Sequence, residues 1–420
     1  MGGLFKQYSA LDANIMRLFS VAFSLNVINC AFFLILNIFM SKSGYDDPSI
    51  ATFWSARFFF VLIFAVPFGR FIQNRKIRPL ILLSVLIYPL ACVATIEAVD
   101  GHYYTAIYLG MMVMGGAESM LRISAAPYIL RNLPQELHTR AFSMNFATWS
   151  GGLIAAGLTI FGLKSIFPEL YHEKWALEMI CLFSIIGVFA SWQLKRDEHV
   201  PVVDAAPSKK KSAKVMWDDW GPMLRAATPT LVIAVGAGLT IPFINLFFHH
   251  SFGMDSDQFA LLGTATHVLV LLGALIIPQI KDRYGYESIT VTQSLSVLAL
   301  VLLASSDFLH GYSWALVMAI ACYMFRQPLM SIANPMTTEM TMYYVGEKNR
   351  EMMSAVSSSI WSGSWFFSSL IFRFLRESGL RYGNIFLITA GLYAIGVFLY
   401  FLLIRDYRRR IRDGVIQLPA

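Results

Sequence analysis

Apolar segments of about 20 residues recur from one end of the chain to the other, and they limit the fold more than any other feature. A helix of about 20 apolar residues crosses a hydrocarbon core about 30 Å thick. Inside a bilayer, only helices and closed barrels satisfy every backbone hydrogen bond. Hydrophobic residues make up 56% of the chain and charged residues 14%, whereas soluble domains carry about 25% charged residues. The sequence therefore predicts an all-α polytopic membrane protein.

Twelve of these segments are predicted to cross the membrane as helices. The first is too long for the apolar region of a cleaved signal peptide, and we expect it to remain as a span. The predicted spans are residues 15–40, 50–72, 79–98, 103–131, 141–163, 175–194, 224–250, 258–280, 287–306, 312–341, 351–375 and 384–404.

Basic residues divide unequally between the two sides of the predicted membrane. If the N-terminus is cytoplasmic, the tails and loops on that side, counted with the adjoining ends of the spans, hold 24 Lys and Arg residues. The opposite loops and span ends hold 6, and three lie deeper within spans. The positive-inside rule therefore predicts two cytoplasmic termini. The net charge of +7 indicates loops that face anionic lipid, and no nucleic-acid surface is predicted. Short loops and a compact size favour a bacterial inner membrane, although a eukaryotic organelle is also compatible with them.

A polar stretch divides the spans six and six. Residues 195–222 are rich in Pro, Ser and Lys, a composition typical of a linker. We predict an N-terminal six-helix bundle over residues 1–194, this cytoplasmic linker, and a C-terminal six-helix bundle with a basic tail over residues 223–420.

An internal repeat supports this division. Pro127 in span 4 aligns with Pro335 in span 10, and the Trp-Ser-Gly sequence that begins at Trp149 aligns with the one that begins at Trp361. Span 4 is thus matched with span 10, and span 5 with span 11. Parallel repeats of this kind occur in transporters, so the two bundles are predicted to be pseudo-symmetric.

The loop "PQIKDRYGYES" between spans 8 and 9 carries the most specific local motif. Its Asp282, Arg283 and Gly285 are similar to the Asp-Arg-x-Gly signature of the major facilitator superfamily. Together with twelve spans in two halves, the motif makes essentially the whole chain resemble that superfamily of secondary transporters. The resemblance implies a cytoplasmic gate at this loop.

The equivalent loop of the first half, "GRFIQNRKIRP", keeps only part of that motif. Gly69 and Arg78 are present, but Gln73 replaces the expected acid. The resemblance then implies that the gate centres on Asp282, which pseudo-symmetry places opposite Arg140 at the start of span 5.

Charged residues inside the spans are the strongest candidates for the functional site, because a charge at bilayer depth costs about 2.5–3.5 kcal/mol on the insertion scale. Glu118 and Arg122 lie four residues apart in span 4, on one helix face, and the repeat pairs Glu118 with Arg326 in span 10. We hypothesise that the three form a central cluster with one excess positive charge for an anionic substrate group. Two alternatives remain open: a closed Glu118–Arg122 pair, or a Glu118 that carries protons while Arg122 pairs elsewhere.

Four further residues are candidates for the substrate or proton pathway. Arg57 in span 2 either faces the cavity or extends outward to the headgroups. His267 in span 8 either titrates near neutral pH or makes a packing hydrogen bond. Trp149 and Trp361 either stack on a ligand or pack against neighbouring helices.

These features predict a secondary active transporter that moves a small organic anion or zwitterion by alternating access, with proton coupling as an option. Efflux of amphipathic drugs or lipids is an alternative, and a non-transporting receptor on the same scaffold is another. The sequence contains no phosphate-binding loop GxxxxGK[ST], and its four cysteines lack metal-ligand spacing. We therefore predict no enzyme, cofactor or metal, and expect a monomer whose partners are a small solute and membrane lipids.

Overall fold

The structure is a computed structural model that describes residues 12–72, 75–133, 135–195, 220–346 and 350–414. Each predicted span coincides with one helical segment. The helices are α1 Ala13–Lys42, α2 Asp47–Ile72, α3 Arg78–Asp100, α4 Tyr104–Asn132, α5 Gln135–Ile166, α6 Glu173–Trp192, α7 Trp220–Phe252, α8 Ser256–Tyr284, α9 Glu287–Phe308, α10 Ala315–Val345, α11 Arg350–Glu377 and α12 Tyr382–Arg412.

Three of these segments are irregular. Residues Phe32–Leu36 of α1 form a π-helical turn, and Ile241–Phe243 of α7 form a 3-10 turn that contains Pro242. The helix of α6 is interrupted between Cys181 and Ser184. Pro127 and Pro335 lie inside α4 and α10 without ending either helix.

The helices confirm the predicted class of membrane protein. Within the described part of the chain, nine of them are long and apolar enough to cross a membrane. The other three, α4, α8 and α11, are 28 or 29 residues long. Of these, α4 carries Glu118 and Arg122, and α11 has a serine-rich stretch over residues 357–364. These two helices are therefore less apolar than most of the others.

The chain separates into two compact units. The described residues of the first unit are 12–195, without the gaps given above, together with 254–264, so this unit contains α1 to α6 and the start of α8. The second contains α7 and everything that follows residue 264. The predicted linker, residues 195–222, lies almost entirely outside the described residues, and the predicted domain limits remain a prediction.

Each unit builds its core from the same helix pairs. In the first unit α1 packs against α5 and α6, and α3 packs against α4 and α6. In the second unit α7 packs against α11 and α12, and α9 packs against α10 and α12. Since α4 corresponds to α10 and α5 to α11 in the sequence repeat, both units bury equivalent helices in equivalent surroundings.

A glycine ends the helix that carries the Asp-Arg-x-Gly motif. Gly285 has φ +60°, a left-handed conformation that costs glycine little because it has no Cβ. Its N–H donates to the Lys281 carbonyl at 2.7 Å, which satisfies one of the free carbonyl groups at the end of α8.

Candidate functional site

Glu118 lies at the midpoint of α4, fourteen residues from each end of the helix. Leu109 and Val113 form an exposed apolar face of the same helix. Glu118 is nine residues from Leu109, which is about 2.5 helical turns and places the two on opposite faces. The Glu118 side chain is 24% exposed, so the polar face of α4 is partly open.

Two glycines bring α4 close to α2 at this depth. A Cβ added to Gly115 would lie 2.7 Å from the carbonyl oxygen of Arg57, and one added to Gly116 would lie 2.6 Å from Cε1 of Phe60. Real Cβ atoms essentially never approach this closely. Small residues permit such close helix contacts in membranes, and the Gly-Gly sequence thereby places Arg57 beside the next turn of α4.

Glu118 pairs with Arg57. The Arg57 guanidinium donates to Glu118 Oε2 at 2.8 Å and to the amide oxygen of Asn29 at 2.5 Å. The Asn29 amide nitrogen donates to Glu118 Oε1 at 3.4 Å. Three helices therefore contribute to one network, in which Arg57 is only 1% exposed. Arg57 does not extend outward to the headgroups.

Aromatic rings cover the other side of Arg57. Its guanidinium carbon lies 5.1 Å from the Trp54 ring centroid and 5.4 Å from that of Phe33, within the range of a cation–π interaction. The Trp54 indole N–H donates to Asn37 Oδ1 at 2.5 Å. Trp149 meets the edge of Phe33 at a centroid distance of 6.3 Å, so this predicted residue belongs to the same neighbourhood.

The π-helical turn of α1 accounts for the way that helix contributes to the site. Asn29, Phe33 and Asn37 are spaced by four residues, and in a straight helix of 3.6 residues per turn such a series drifts around the axis. A π turn holds more residues per turn, which reduces the drift. One face of α1 therefore presents all three side chains to Arg57 and Trp54.

Arg122 makes no hydrogen bond or ion pair with another described residue, and its side chain is exposed. Its positive charge is nevertheless close enough to act on Glu118. It lies one turn beyond Glu118 on the same face of α4. The ion-pair partner of Glu118 in the structure is thus Arg57, whereas the sequence hypothesis assigned that role to Arg122.

In the second unit, Arg326 is buried in α10 and is 1% exposed. It donates to the hydroxyl of Tyr393 at 3.2 Å and to the amide oxygen of Gln327 at 3.3 Å. Its guanidinium carbon lies 5.6 Å from the Tyr393 ring centroid, and none of the described residues accepts a hydrogen bond from its Nε. Among the described residues no carboxylate pairs with Arg326, and the groups that accept its hydrogen bonds there are neutral.

Close packing of α7 against α12 positions Tyr393. A Cβ added to Gly236 would lie 2.8 Å from Cε1 of Tyr393, and Tyr393 is 1% exposed. The hydroxyl of Thr240 on α7 donates to Thr389 Oγ1 on α12 at 3.0 Å, one turn from Tyr393. Local packing therefore fixes the group that contacts Arg326.

The remaining predicted pathway residues lie at partly buried positions. His267 is half-buried on α8. Trp361 is half-buried on α11, where its ring centroid lies 6.5 Å from that of Trp365.

The predicted gate residues can be followed only in part. Arg283 is exposed, with its guanidinium carbon 5.4 Å from the Tyr284 ring centroid. Arg78 donates to the Trp192 carbonyl at 2.9 Å. The surroundings of Gly69 and the side chains of Arg140 and Asp282 lie outside the described part of the chain, and so does the predicted contact of Asp282 with Arg140.

A second charged network in the first unit has no counterpart in the sequence analysis. Lys42 lies 2.7 Å from Glu173 and 3.3 Å from Asp255, and Lys164 lies 2.7 Å from Asp257 and 3.6 Å from Asp255. These residues occupy the ends of α1, α5 and α6 and the beginning of α8. They attach the segment 254–264 to the first unit.

Asp255 is the central acid of this second network. Burial opposes its ionisation, but hydrogen bonds and positive charge from Lys42 and Lys164 outweigh burial and hold the pKa of its carboxyl below the usual value. Asp255 is therefore ionised at neutral pH.

In the described residues, no group of three His, Cys, Asp or Glu side chains is arranged to hold a metal ion.

Solved structures with a similar fold are transporters. The chain is similar to a mutant of the nucleoside transporter NupG (TM-score 0.72, 15% identity, 93% of this chain and 99% of that chain). It is also similar to a D-xylose-proton symporter (TM-score 0.72, 10% identity, 92% of this chain and 96% of that chain). A third similar structure is a bacterial homologue of the iron transporter ferroportin (TM-score 0.69, 14% identity, 93% of this chain and 98% of that chain). Identities this low establish the fold alone.

No curated protein sequence matches the chain. The family model described as Major Facilitator Superfamily matches residues 18–369, which is most of the chain and includes α1 through most of α11. The chain has the fold of a transporter and is an integral multi-pass membrane protein. It belongs to the Major Facilitator Superfamily.

Proposed function

We propose that the protein is a secondary active transporter that moves a small organic anion or zwitterion across the membrane by alternating access. The observation that carries the proposal is the environment of Arg326. This guanidinium is 1% exposed inside a membrane-spanning helix, and the described residues supply no carboxylate for it.

An unpaired guanidinium at this depth is costly, by about 2.5–3.5 kcal/mol or more. Tyr393 and Gln327 offset part of that cost, because each accepts one hydrogen bond. A carboxylate or phosphate would offset more, since it accepts two parallel N–H bonds from arginine. The Arg326 Nε–H, which has no hydrogen-bond partner among the described residues, is a donor for such a group.

The first unit contributes Glu118, Arg57 and Arg122 to the proposed substrate pathway. The Arg57–Glu118 pair places a carboxylate beside a partly open face of α4, and a zwitterionic solute could place its ammonium group there. Trp149, Trp361 and His267 remain candidates for the walls of this pathway, with His267 as a candidate proton carrier.

The proposal includes a cytoplasmic position for both termini, supported by the asymmetry of Lys and Arg between the loops, and a bacterial inner membrane, supported by the short loops and compact size. It also includes a gate at the loop that carries Asp282, Arg283 and Gly285. A solute or ion gradient supplies the energy, because the sequence contains no phosphate-binding loop for ATP.

The test is a thermal-stability screen of the purified full chain with organic anions, zwitterions and lipophilic cations, followed by uptake of each stabilising compound into proteoliposomes. We expect an anion or zwitterion to raise the unfolding temperature, and the increase to vanish in Arg326→Gln. Arg412→Gln, an exposed arginine at the end of α12, is the control. Stabilisation by cations alone, unaffected by Arg326→Gln, would reject the proposal in favour of amphiphile efflux.

A further inference from the structure

The last helix, α12, continues beyond the part of it that is predicted to span the membrane. The predicted span ends at residue 404, whereas the helix ends at Arg412, so its last eight residues extend about 12 Å farther along the helix axis. Five of these eight residues are arginines. The end of α12 is therefore a strongly basic segment next to the membrane.

Two of these five arginines are paired with carboxylates in the same unit. Arg408 donates to Glu287, the first residue of α9, and Arg410 donates to Asp406 at 2.9 Å. The charges of these two guanidinium groups are thus compensated within the protein.

The other three arginines, Arg405, Arg409 and Arg412, share one exposed face of the helix. Spacings of four and three residues place them on the same side, and all three side chains are exposed. Arg409 lies 3.6 Å from Asp413, but both side chains are more than half exposed, and such pairs contribute little. No carboxylate in the described ranges pairs with Arg405 or Arg412. This face therefore carries positive charge that the protein leaves largely uncompensated.

The same face of α12 is apolar where it enters the membrane. Phe398, Phe401 and Leu402 lie within two turns before Arg405 and are exposed. The guanidinium carbon of Arg405 lies 5.7 Å from the Phe401 ring centroid, so its charge stays at the edge of the apolar surface. Helical side chains lean towards the N-terminus, which here is towards the membrane. The exposed face thus changes from apolar to basic within one turn.

Distance from the hydrocarbon core separates the three arginines. The headgroup layer on each side of the core is about 5–7 Å thick, because the core measures about 30 Å and the whole bilayer about 40–45 Å. Counted from residue 404, Arg405 lies about 1.5 Å along the axis, Arg409 about 7.5 Å and Arg412 about 12 Å. Arg405 and Arg409 therefore lie at the depth of lipid phosphates, and Arg412 lies beyond it.

We propose that Arg405 and Arg409 bind the phosphate of an anionic phospholipid whose acyl chains lie along Phe398, Phe401 and Leu402. Arginines one turn apart can donate to the same phosphate. A lipid presents that phosphate directly beside apolar chains, which matches the change along this face. A net negative headgroup is favoured because the ammonium group of a zwitterionic lipid would compensate its own phosphate. The proposal does not depend on which solute the protein moves.

Two lipids with identical acyl chains test this site. The purified full chain is freed of lipid in a neutral detergent and titrated with dioleoyl phosphatidylglycerol or with dioleoyl phosphatidylcholine. Native mass spectrometry counts the bound lipid molecules and gives their affinities. Glycerophosphoglycerol, which is the anionic headgroup without its acyl chains, serves as a soluble competitor.

In the wild type we expect the first phosphatidylglycerol to bind about tenfold or more tightly than phosphatidylcholine. Arg405→Gln and Arg409→Gln should each weaken phosphatidylglycerol binding about fivefold, the effect of one basic residue near a charged membrane surface. Phosphatidylcholine binding should not change. Arg412→Gln is the matched control, since it removes the same charge from the same face at a greater distance from the membrane, and it should change either affinity less than about twofold. The lipid-free variants should unfold at the wild-type temperature because these side chains are exposed.

Three results would overturn the proposal. Equal affinity for the two lipids would show that the face does not select anionic headgroups. An effect of Arg412→Gln as large as that of Arg405→Gln would show a diffuse attraction to negative charge and no defined site. Displacement of phosphatidylglycerol by an equal concentration of glycerophosphoglycerol would show that the apolar face adds nothing and that the ligand is a soluble phosphate ester.

Discussion

Arg57 and Glu118 are 61 positions apart in the sequence, yet the guanidinium of one donates to the carboxylate of the other at 2.8 Å. The pair joins α2 to α4 in the middle of the first unit. Asn29 is hydrogen-bonded to both side chains. The ion pair and these hydrogen bonds together reduce the cost of placing two charges inside the membrane.

Removal of either partner of this pair should destabilise the first unit strongly. Arg57→Gln leaves the Glu118 carboxylate without its cationic partner, and Glu118→Gln leaves the buried Arg57 guanidinium without its anionic partner. Breaking a buried ion pair in this way lowers the free energy of unfolding by about 3–5 kcal/mol. The double substitution should be less damaging than the two single effects combined. Thermal unfolding of the wild type, the two single variants and the double variant gives the coupling free energy between the two side chains. Strict additivity would show that the two side chains act independently.

Glu118→Gln also tests the contribution of this network to transport. If Glu118 serves a zwitterion or couples transport to protons, the variant should lose uptake, or lose its dependence on the pH gradient, when uptake is expressed per amount of folded protein. Uptake into proteoliposomes with and without a gradient makes the measurement. If Glu118→Gln shows normal uptake that still depends on the pH gradient, Glu118 has a structural role and none in transport.

The close approach of α2 to α4 depends on Gly115. In Gly115→Ala the new Cβ would meet the Arg57 carbonyl oxygen at 2.7 Å, so the helices must separate, and overpacking of this kind costs about 1–3 kcal/mol. Gly162→Ala in α5 is the matched control, because its Cβ would have no neighbour within 4 Å. Thermal unfolding should show a large loss for the first variant and none for the second. Equal effects would show that the contact is not tight.

Tyr393→Phe should change the second unit in two opposite ways. The variant loses the hydroxyl that accepts from Arg326 at 3.2 Å, and a hydrogen bond to a charged group contributes about 1.5–3 kcal/mol. The unliganded protein should therefore unfold at a lower temperature. An anion that replaces the lost acceptor should then stabilise the variant more than it stabilises the wild type, which a thermal shift with saturating ligand will reveal. A smaller shift would indicate that Tyr393 itself contacts the anion.

The charged network around Asp255 should weaken in acid. Its folded-state pKa is lowered, so its contribution to stability is present above the ordinary aspartate pKa of about 3.9 and is lost as pH falls through the lower folded value. Between about pH 5 and 8 we expect the wild type to unfold at a higher temperature than Asp255→Asn, by a constant margin. That margin should shrink below about pH 4. A margin that persists at lower pH would mean that the carboxyl's charge is not what stabilises the segment.

Much of this architecture could be predicted from the sequence because membranes impose a strong pattern. Apolar runs define the helices, and the central position of Glu118 follows from the length of its span. The partner of Glu118 could not be predicted, because Arg122 is near in sequence while Arg57 becomes near only through the packing of α2 against α4. Gly115 and Gly116 were visible as small residues, but the sequence does not say which helix approaches them.

The network of Lys42, Glu173 and Asp255 was missed for a related reason. Each residue lies at the end of a different helix, where charged residues are common and carry no periodic signal. Arg326 was identified as a mid-span charge, but its dependence on Tyr393 requires the contact between α10 and α12, which only the folded unit provides.

The two units repeat their helix pairs but not their charges, since the position that holds an acid in α4 holds a base in α10. The same arrangement of helix pairs thus accommodates a carboxylate at one mid-span position and a guanidinium at the equivalent one. Each charge is held by a partner in its own unit, Arg57 for Glu118 and Tyr393 for Arg326. A change of sign at either position would therefore require a matching change in the neighbouring side chain.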